Sequence, residues 1–109
     1  MNLDQWADTV WHTAVEHGFH DDGMNDDIPT LCANLHGEVS ELWEAYRNGD
    51  IDEQCDKPIP LTCAEEELAD IIIRALDCAK QKGINIGRAV RIKHEYNVGR
   101  PFRHGGKLA

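Results

Sequence analysis

The chain has 109 residues, 20 acidic against 11 basic, and a formal net charge of -9 at pH 7. A length of this order gives one domain, residues 1–109, with a small core, and the surplus of negative charge disfavours nucleic acid and anionic membranes as main partners. The balance is uneven: residues 1–79 hold 19 of the 20 acids and only three bases, Arg47, Lys57 and Arg74, whereas residues 80–109 hold eight bases and the single acid Glu95. An acidic body with a basic tail suits a ligand that is itself a metal ion plus a polyanion.

Leu3, Trp6, Ala7, Val10 and Ala14, flanked by Trp11 and Val15, repeat at helical spacing until Gly18, which can take the left-handed position after a helix. Trp6 and Trp11 read as core or subunit contacts before they read as platforms for a base. The next stretch, FHDDGMNDDIP over 19–29, is dense in turn formers and acids. It lacks the alternating acids, the sixth-position glycine and the twelfth-position glutamate of an EF-hand loop, so a solvated loop is expected, with a lid over the site as its functional alternative.

Thr30 is the expected N-cap of a second helix that stops near Asn48-Gly49. At 100° per residue, Leu31, Leu35, Leu42 and Tyr46 form its apolar stripe, with Glu38 and Glu41 along the edge and Trp43 off it. DIDEQCDKPIP is then a connection. Thr62 and Glu65 make the T-x-x-E capping box of a third helix running to about Gly83. Its stripe is Ala64, Leu68, Ile71, Ala75 and Cys78, bordered by Glu67 and Asp70. Asn85 caps a fourth helix, with Ile86, Ala89, Val90 and Ile92, ending near Asn97. No strand-like alternation and no repeat is present, so the expected class is all-α, a four-helix bundle-like fold.

Two carboxylates on each of two antiparallel helices, all on the apolar side, carry the sharpest chemical signal. An ionised carboxylate is costly to bury unless paired or bound to metal, so Glu38, Glu41, Glu67 and Asp70 are expected to surround one hard divalent ion. Glu44, Glu66 and Asp77, further round, are expected to form the wet faces. The tail, residues 98–109, places Arg100, Arg103, His104 and Lys107 among Gly99, Pro101, Gly105 and Gly106, a segment able to wrap phosphate oxygens. Lys93 and Asn97, one turn apart, would begin the same anion-facing surface. The four cysteines form neither a CxxC pair nor a zinc pattern. Cys32, Cys63 and Cys78 are expected as buried fillers. The N-terminus has no basic n-region or long apolar run, which suggests a cytoplasmic chain with reduced thiols.

LHGEVSELWEAYR followed by EEELADIIIRALDCA resembles the ExxE, gap, ExxD signature of the MazG-like nucleotide pyrophosphohydrolases, within the all-α NTP pyrophosphatase superfamily. KHEYNVGRPFRHGGK is similar to the close of the family's small members, so the resemblance spans roughly residues 31 to 107. It implies a MazG-type fold assembled as a homodimer or homotetramer. It also implies Mg²⁺ dependence, with Mn²⁺ as a substitute, and hydrolysis of a nucleoside triphosphate to the monophosphate and pyrophosphate in nucleotide-pool house-cleaning. Carried over, Glu38, Glu41, Glu67 and Asp70 would be metal ligands, with Glu38 or Glu41 taking the proton of the attacking water. Lys93, Asn97, Arg100, Arg103, His104 and Lys107 would be phosphate contacts. Many members place a second glutamate before the first motif; here that position is Gly37. A dUTPase-like or phosphoribosyl-ATP-directed enzyme is the alternative within the class. Outside it, a non-enzymatic acidic helical regulator would have no metal-dependent activity. A di-iron bundle would need Glu-x-x-His pairs, and the chain has none.

Overall fold

Asn2 and Gln5 start the first helix, α1 (Leu3–Glu16), by a reciprocal cap: each side chain accepts the other's backbone N–H at 2.8 Å. Gly18, at φ 80°, ends it in the left-handed turn that the sequence predicts. The structure, a computed structural model, describes residues 1–101. After a short 3-10 turn at Asp21–Gly23 comes α2 (Ile28–Arg47). Its N-cap is Asp27 and not Thr30: the Asp27 carboxylate accepts from both the backbone N–H and the hydroxyl of Thr30, each at 2.9 Å. A carboxylate facing the positive end of a helix outcompetes a hydroxyl, and Pro29 fits the first turn because the N–H it lacks would have no helical partner there.

The third helix, α3 (Cys63–Gln81), begins at the expected box, with Thr62 Oγ1 accepting from Glu65 N at 3.2 Å and Glu65 Oε1 accepting from Thr62 N at 2.9 Å. The connection before it is folded back on itself. Cys55 N donates to the Leu61 carbonyl at 3.0 Å and Cys63 N to that of Glu53 at 2.8 Å. The last helix, α4 (Ile86–Val98), is capped by Asn85 as predicted. Among the described residues the architecture is therefore four α-helices with no strand, the all-α class read from the sequence. None of these helices is long and apolar enough to cross a membrane.

The helix α3 is the centre, with α2 packed along one side and α1 along another; α4 touches α1. At that last contact the Asp4 carboxylate accepts the Gly87 N–H at 3.1 Å, and a Cβ on Gly87 would lie 2.5 Å from Asp4 Oδ2, so a larger residue there would push that carboxylate aside. Because α3 is flanked on two sides, its covered arc is not the single stripe expected. Leu68 and Ala75 are exposed, while Leu76, Ala79, Glu66 and Asp77 are buried. Glu66 and Asp77 are thus not wet faces. Lys57 reaches Glu66 Oε1 at 2.7 Å, and His20 Nε2 lies 2.8 Å from Asp77 Oδ1, so each carboxylate is buried with a partner brought from a loop. Cysteine burial also differs: Cys55 is buried, whereas Cys32 is exposed.

The loop after α1 is fastened to the bundle more firmly than a solvated loop. Besides His20, Asp26 is held at both its side chain and its carbonyl: Gln81 Nε2 donates to Oδ1 at 2.6 Å and Lys82 Nζ to the carbonyl at 3.0 Å. The same Gln81 accepts the Trp11 indole N–H at 2.6 Å, so one amide joins α1, α3 and the loop. The apolar core of the described chain is small, comprising Ala7, Leu31, Cys55, Leu76 and Ala79, and α4 buries no residue. Trp6, Ile72 and Ile73 on one side and Val39, Trp43 and Tyr46 on another stay exposed.

Candidate metal centre and adjoining cavities

Glu67 and Asp70 sit three residues apart on α3, so their side chains share a face, and α2 brings Glu38 opposite them. One oxygen from each of Glu38, Glu67 and Asp70 lies within 4.8 Å of the others. The side chain of Glu38 is only 14% exposed, and Glu67 Oε2 is buried with no hydrogen-bond partner among the described residues. An orphaned, buried carboxylate oxygen is expensive unless a cation completes it.

The electrostatics record the same strain. Burial, and then the charge and hydrogen bonding of neighbouring Glu41, push the Glu67 carboxyl up to about 7. Burial, and then the charge of Glu38, raises Asp70 as well. Both groups resist ionising because burial strips water from them and like charge is gathered beside them. The donor set is all hard oxygen, three carboxylates from two helices with no thiol or imidazole among them. It therefore fits Mg²⁺ or Mn²⁺ better than a soft transition metal.

Glu41, the fourth expected ligand, stands beside the trio and not in it. It is exposed and lines both cavities that open here. The first, about 290 Å³, has walls from Val10, Ala14 and Phe19 together with Glu38, Glu41, Asp70 and Arg74. The second, about 700 Å³, lies toward the α2–α3 connection and is lined by Glu41, Glu67, Glu53, Asp56 and Lys57 among others.

Two cations accompany the acids, and neither stood out in the sequence. Arg74 follows Asp70 by one helical turn, and its Nε donates to Glu38 Oε1 at 3.3 Å while its guanidinium carbon lies 5.9 Å from the centre of the Phe19 ring. The i, i+4 spacing from Asp70 is the signal that marks it. Lys57 sits in an irregular connection, where no periodicity places it; its Nζ donates to Asp56 at 2.9 Å and to Glu66. The ammonium holds Glu66 below the usual carboxylate range, and its two acids in turn raise the lysine.

The expected phosphate contacts are gathered only in part. Lys93 and Asn97 share a shallow groove on α4 with Ala89, Val90 and His94, and neither lines the cavities at the carboxylates. The Lys93 ammonium and the Arg100 guanidinium lie 4.8 Å and 5.5 Å from the Tyr96 ring centre, so Tyr96 organises these cations at the end of α4. Arg103, His104 and Lys107 lie outside the described residues. Compared with family models, with curated proteins and with solved structures, the chain matches none. The reading of the site therefore rests on its own residues.

Proposed function

We propose that the protein is a divalent-metal-dependent nucleoside triphosphate pyrophosphohydrolase, converting its substrate to the monophosphate and pyrophosphate. The observation that carries this reading is the convergence of Glu38, Glu67 and Asp70 within 4.8 Å, together with a buried Glu67 oxygen that has no hydrogen-bond partner among the described residues. The ExxE and ExxD spacing that resembles the MazG-like enzymes supports it from the sequence. In this reading Glu38, Glu67 and Asp70 hold Mg²⁺, or Mn²⁺ in its place, with Glu41 completing the set or standing next to it. The ion, when bound, supplies charge neutralisation and polarisation of a phosphate group.

The chain's own residues then have distinct tasks. In this reading Glu41, exposed beside the trio and lining both cavities, or else Glu38, takes a proton from an attacking water. Arg74 and Lys57 bring positive charge to the two cavities, and the basic end of the chain, from Lys93 and Asn97 through Arg100 to Arg103, His104 and Lys107, supplies further donors for a polyanion. The uncovered apolar surfaces of α1, α2 and α3 suit self-association as a homodimer or homotetramer. Such an activity would suit clearing nucleotides from a cytoplasmic pool.

The test is release of pyrophosphate from a panel of common and damaged nucleoside triphosphates, with and without Mg²⁺. Metal-dependent release is expected, and Glu38→Gln, Glu67→Gln and Asp70→Asn should each lower it by about a hundred-fold or more. Glu41→Gln should also lower turnover. Glu16→Gln, at the exposed end of α1, is the control. No release from any triphosphate, or near-normal turnover in two of the three ligand variants, would overturn the assignment.

A further inference from the structure

Arg74 occupies a position that a metal site would not tolerate without a purpose. Its Nε donates to Glu38, and among the described residues that is its only hydrogen bond. The two terminal amino groups of its guanidinium are unengaged there. The side chain is 35% exposed, against 14% for Glu38, and it lines the cavity of about 290 Å³ together with Glu38, Glu41 and Asp70. The flat guanidinium also lies near the Phe19 ring, a contact that asks nothing of Glu38.

A divalent ion gathered by Glu38, Glu67 and Asp70 and a guanidinium bound to the same Glu38 carboxylate place like charges a few ångströms apart. The two cations repel one another, and Arg74 already draws on the carboxylate that the ion would share. Resting on the metal-site reading above, we infer that Arg74 is a built-in placeholder cation that gives up Glu38 to the metal and turns to the substrate's phosphate oxygens. Before metal arrives it neutralises the Glu38 carboxylate. Once displaced, its planar fork matches two oxygens of a phosphate group in a way that an ammonium cannot.

A residue that merely ties α3 to α2 would behave differently from a placeholder. Loss of a structural tie loosens the site and weakens or spares metal binding. Loss of a placeholder tightens metal binding and weakens phosphate binding, opposite signs in two observables. The experiment uses the full chain and the variants Arg74→Gln and Arg74→Lys, with folding checked by circular dichroism. Mn²⁺ alone is titrated first, its free ion read by electron paramagnetic resonance; steady-state kinetics with a triphosphate at saturating Mg²⁺ follow.

In Arg74→Gln the Mn²⁺ dissociation constant should fall about two- to five-fold, the scale of a partly exposed ion pair. Its KM should rise about ten-fold or more, the scale of lost charge-assisted hydrogen bonds. Arg74→Lys, which keeps the charge and loses the fork, should bind Mn²⁺ nearly as the parent does and still show a raised KM. Mn²⁺ binding in Arg74→Gln that equals or falls below the parent's overturns the inference, as does an unchanged KM in both variants. A parent protein that binds no Mn²⁺ sinks the metal-site reading itself. A parent that binds Mn²⁺ beside an unaltered Arg74→Gln sinks the placeholder alone.

Discussion

Glu67 behaves, without metal, as an acid that titrates near neutrality, since burial and Glu41 push it up to about 7 from an ordinary 4.5. A carboxyl that holds its proton more tightly folded than unfolded gives stability below the unfolded value and loses it as pH rises through the folded one. The metal-free protein should therefore melt at progressively lower temperature between about pH 5 and pH 8. Saturating Mg²⁺ should flatten that slope, because a bound cation favours the ionised form, and metal titration in weak buffer at pH 6 should release protons. A melting temperature flat from pH 5 to 8 without metal would count against the crowded site. Glu66, its neighbour in sequence, obeys the opposite rule: Lys57 holds it ionised in a buried place. Lys57→Ala should lower the melting temperature, read by calorimetry, more than the exposed control Glu16→Gln, because it leaves a buried carboxylate without its partner. The i, i+3 spacing made Glu67 and Asp70 legible from sequence. The burial of Glu66 was not, because its partner comes from a connection with no period to read.

Among the elements, the helix ends were largely legible because capping is local. Thr62 with Glu65, Asn85, Gly18, Gly49 and Gly83 all act where the sequence puts them, the three glycines at φ 80°, 74° and 68°. The start of α2 differs from the reading, since Asp27, three residues before Thr30, caps it with a charged side chain. What the sequence could not convey is which arc of α3 is covered, because that depends on two neighbours at once. The loop between α1 and α2 follows the same logic. Its anchor, His20 on Asp77, is a contact between residues 57 apart in the chain, with both side chains almost fully buried. His20→Ala should leave Asp77 buried and unpartnered, at a cost of about 1–3 kcal/mol in folding free energy. Faster hydrogen exchange confined to residues 19–27 is the accompanying readout; unaltered protection there would show that Asp26, through Gln81 and Lys82, holds the loop alone.

For the molecule as a whole, the small core and the wide exposed apolar surface belong to one account. No large side chain is fully buried in the described chain, and Trp6, Val39, Trp43, Tyr46, Leu68 and Ile72 face outward. Apolar surface on that scale favours a second copy, and an obligate dimer of such helices is expected to bury more than about 2,000 Å². Light scattering at micromolar concentration should give at least twice the mass of one chain, and Trp43→Ser should shift it toward the monomer. A monomeric, active protein would refute this. Trp43 lay off the main stripe in the sequence and is exposed in the structure, so its exposure was legible early. The separation of Lys93 and Asn97 from the carboxylates was not, because spacing along a chain says nothing of how α4 leans against α1.

The Gln81 amide that joins α1, α3 and the loop also gives the protein an optical reporter of its own. Trp11 donates its indole N–H to that amide and lies with its ring 6.2 Å from that of His20, whereas Trp6 and Trp43 stand in the open. In a dispersed single chain, iodide or acrylamide would silence the two outer tryptophans and leave the emission of Trp11. Its colour would report the seating of His20 on Asp77, and so the state of the cavity wall, with no label attached.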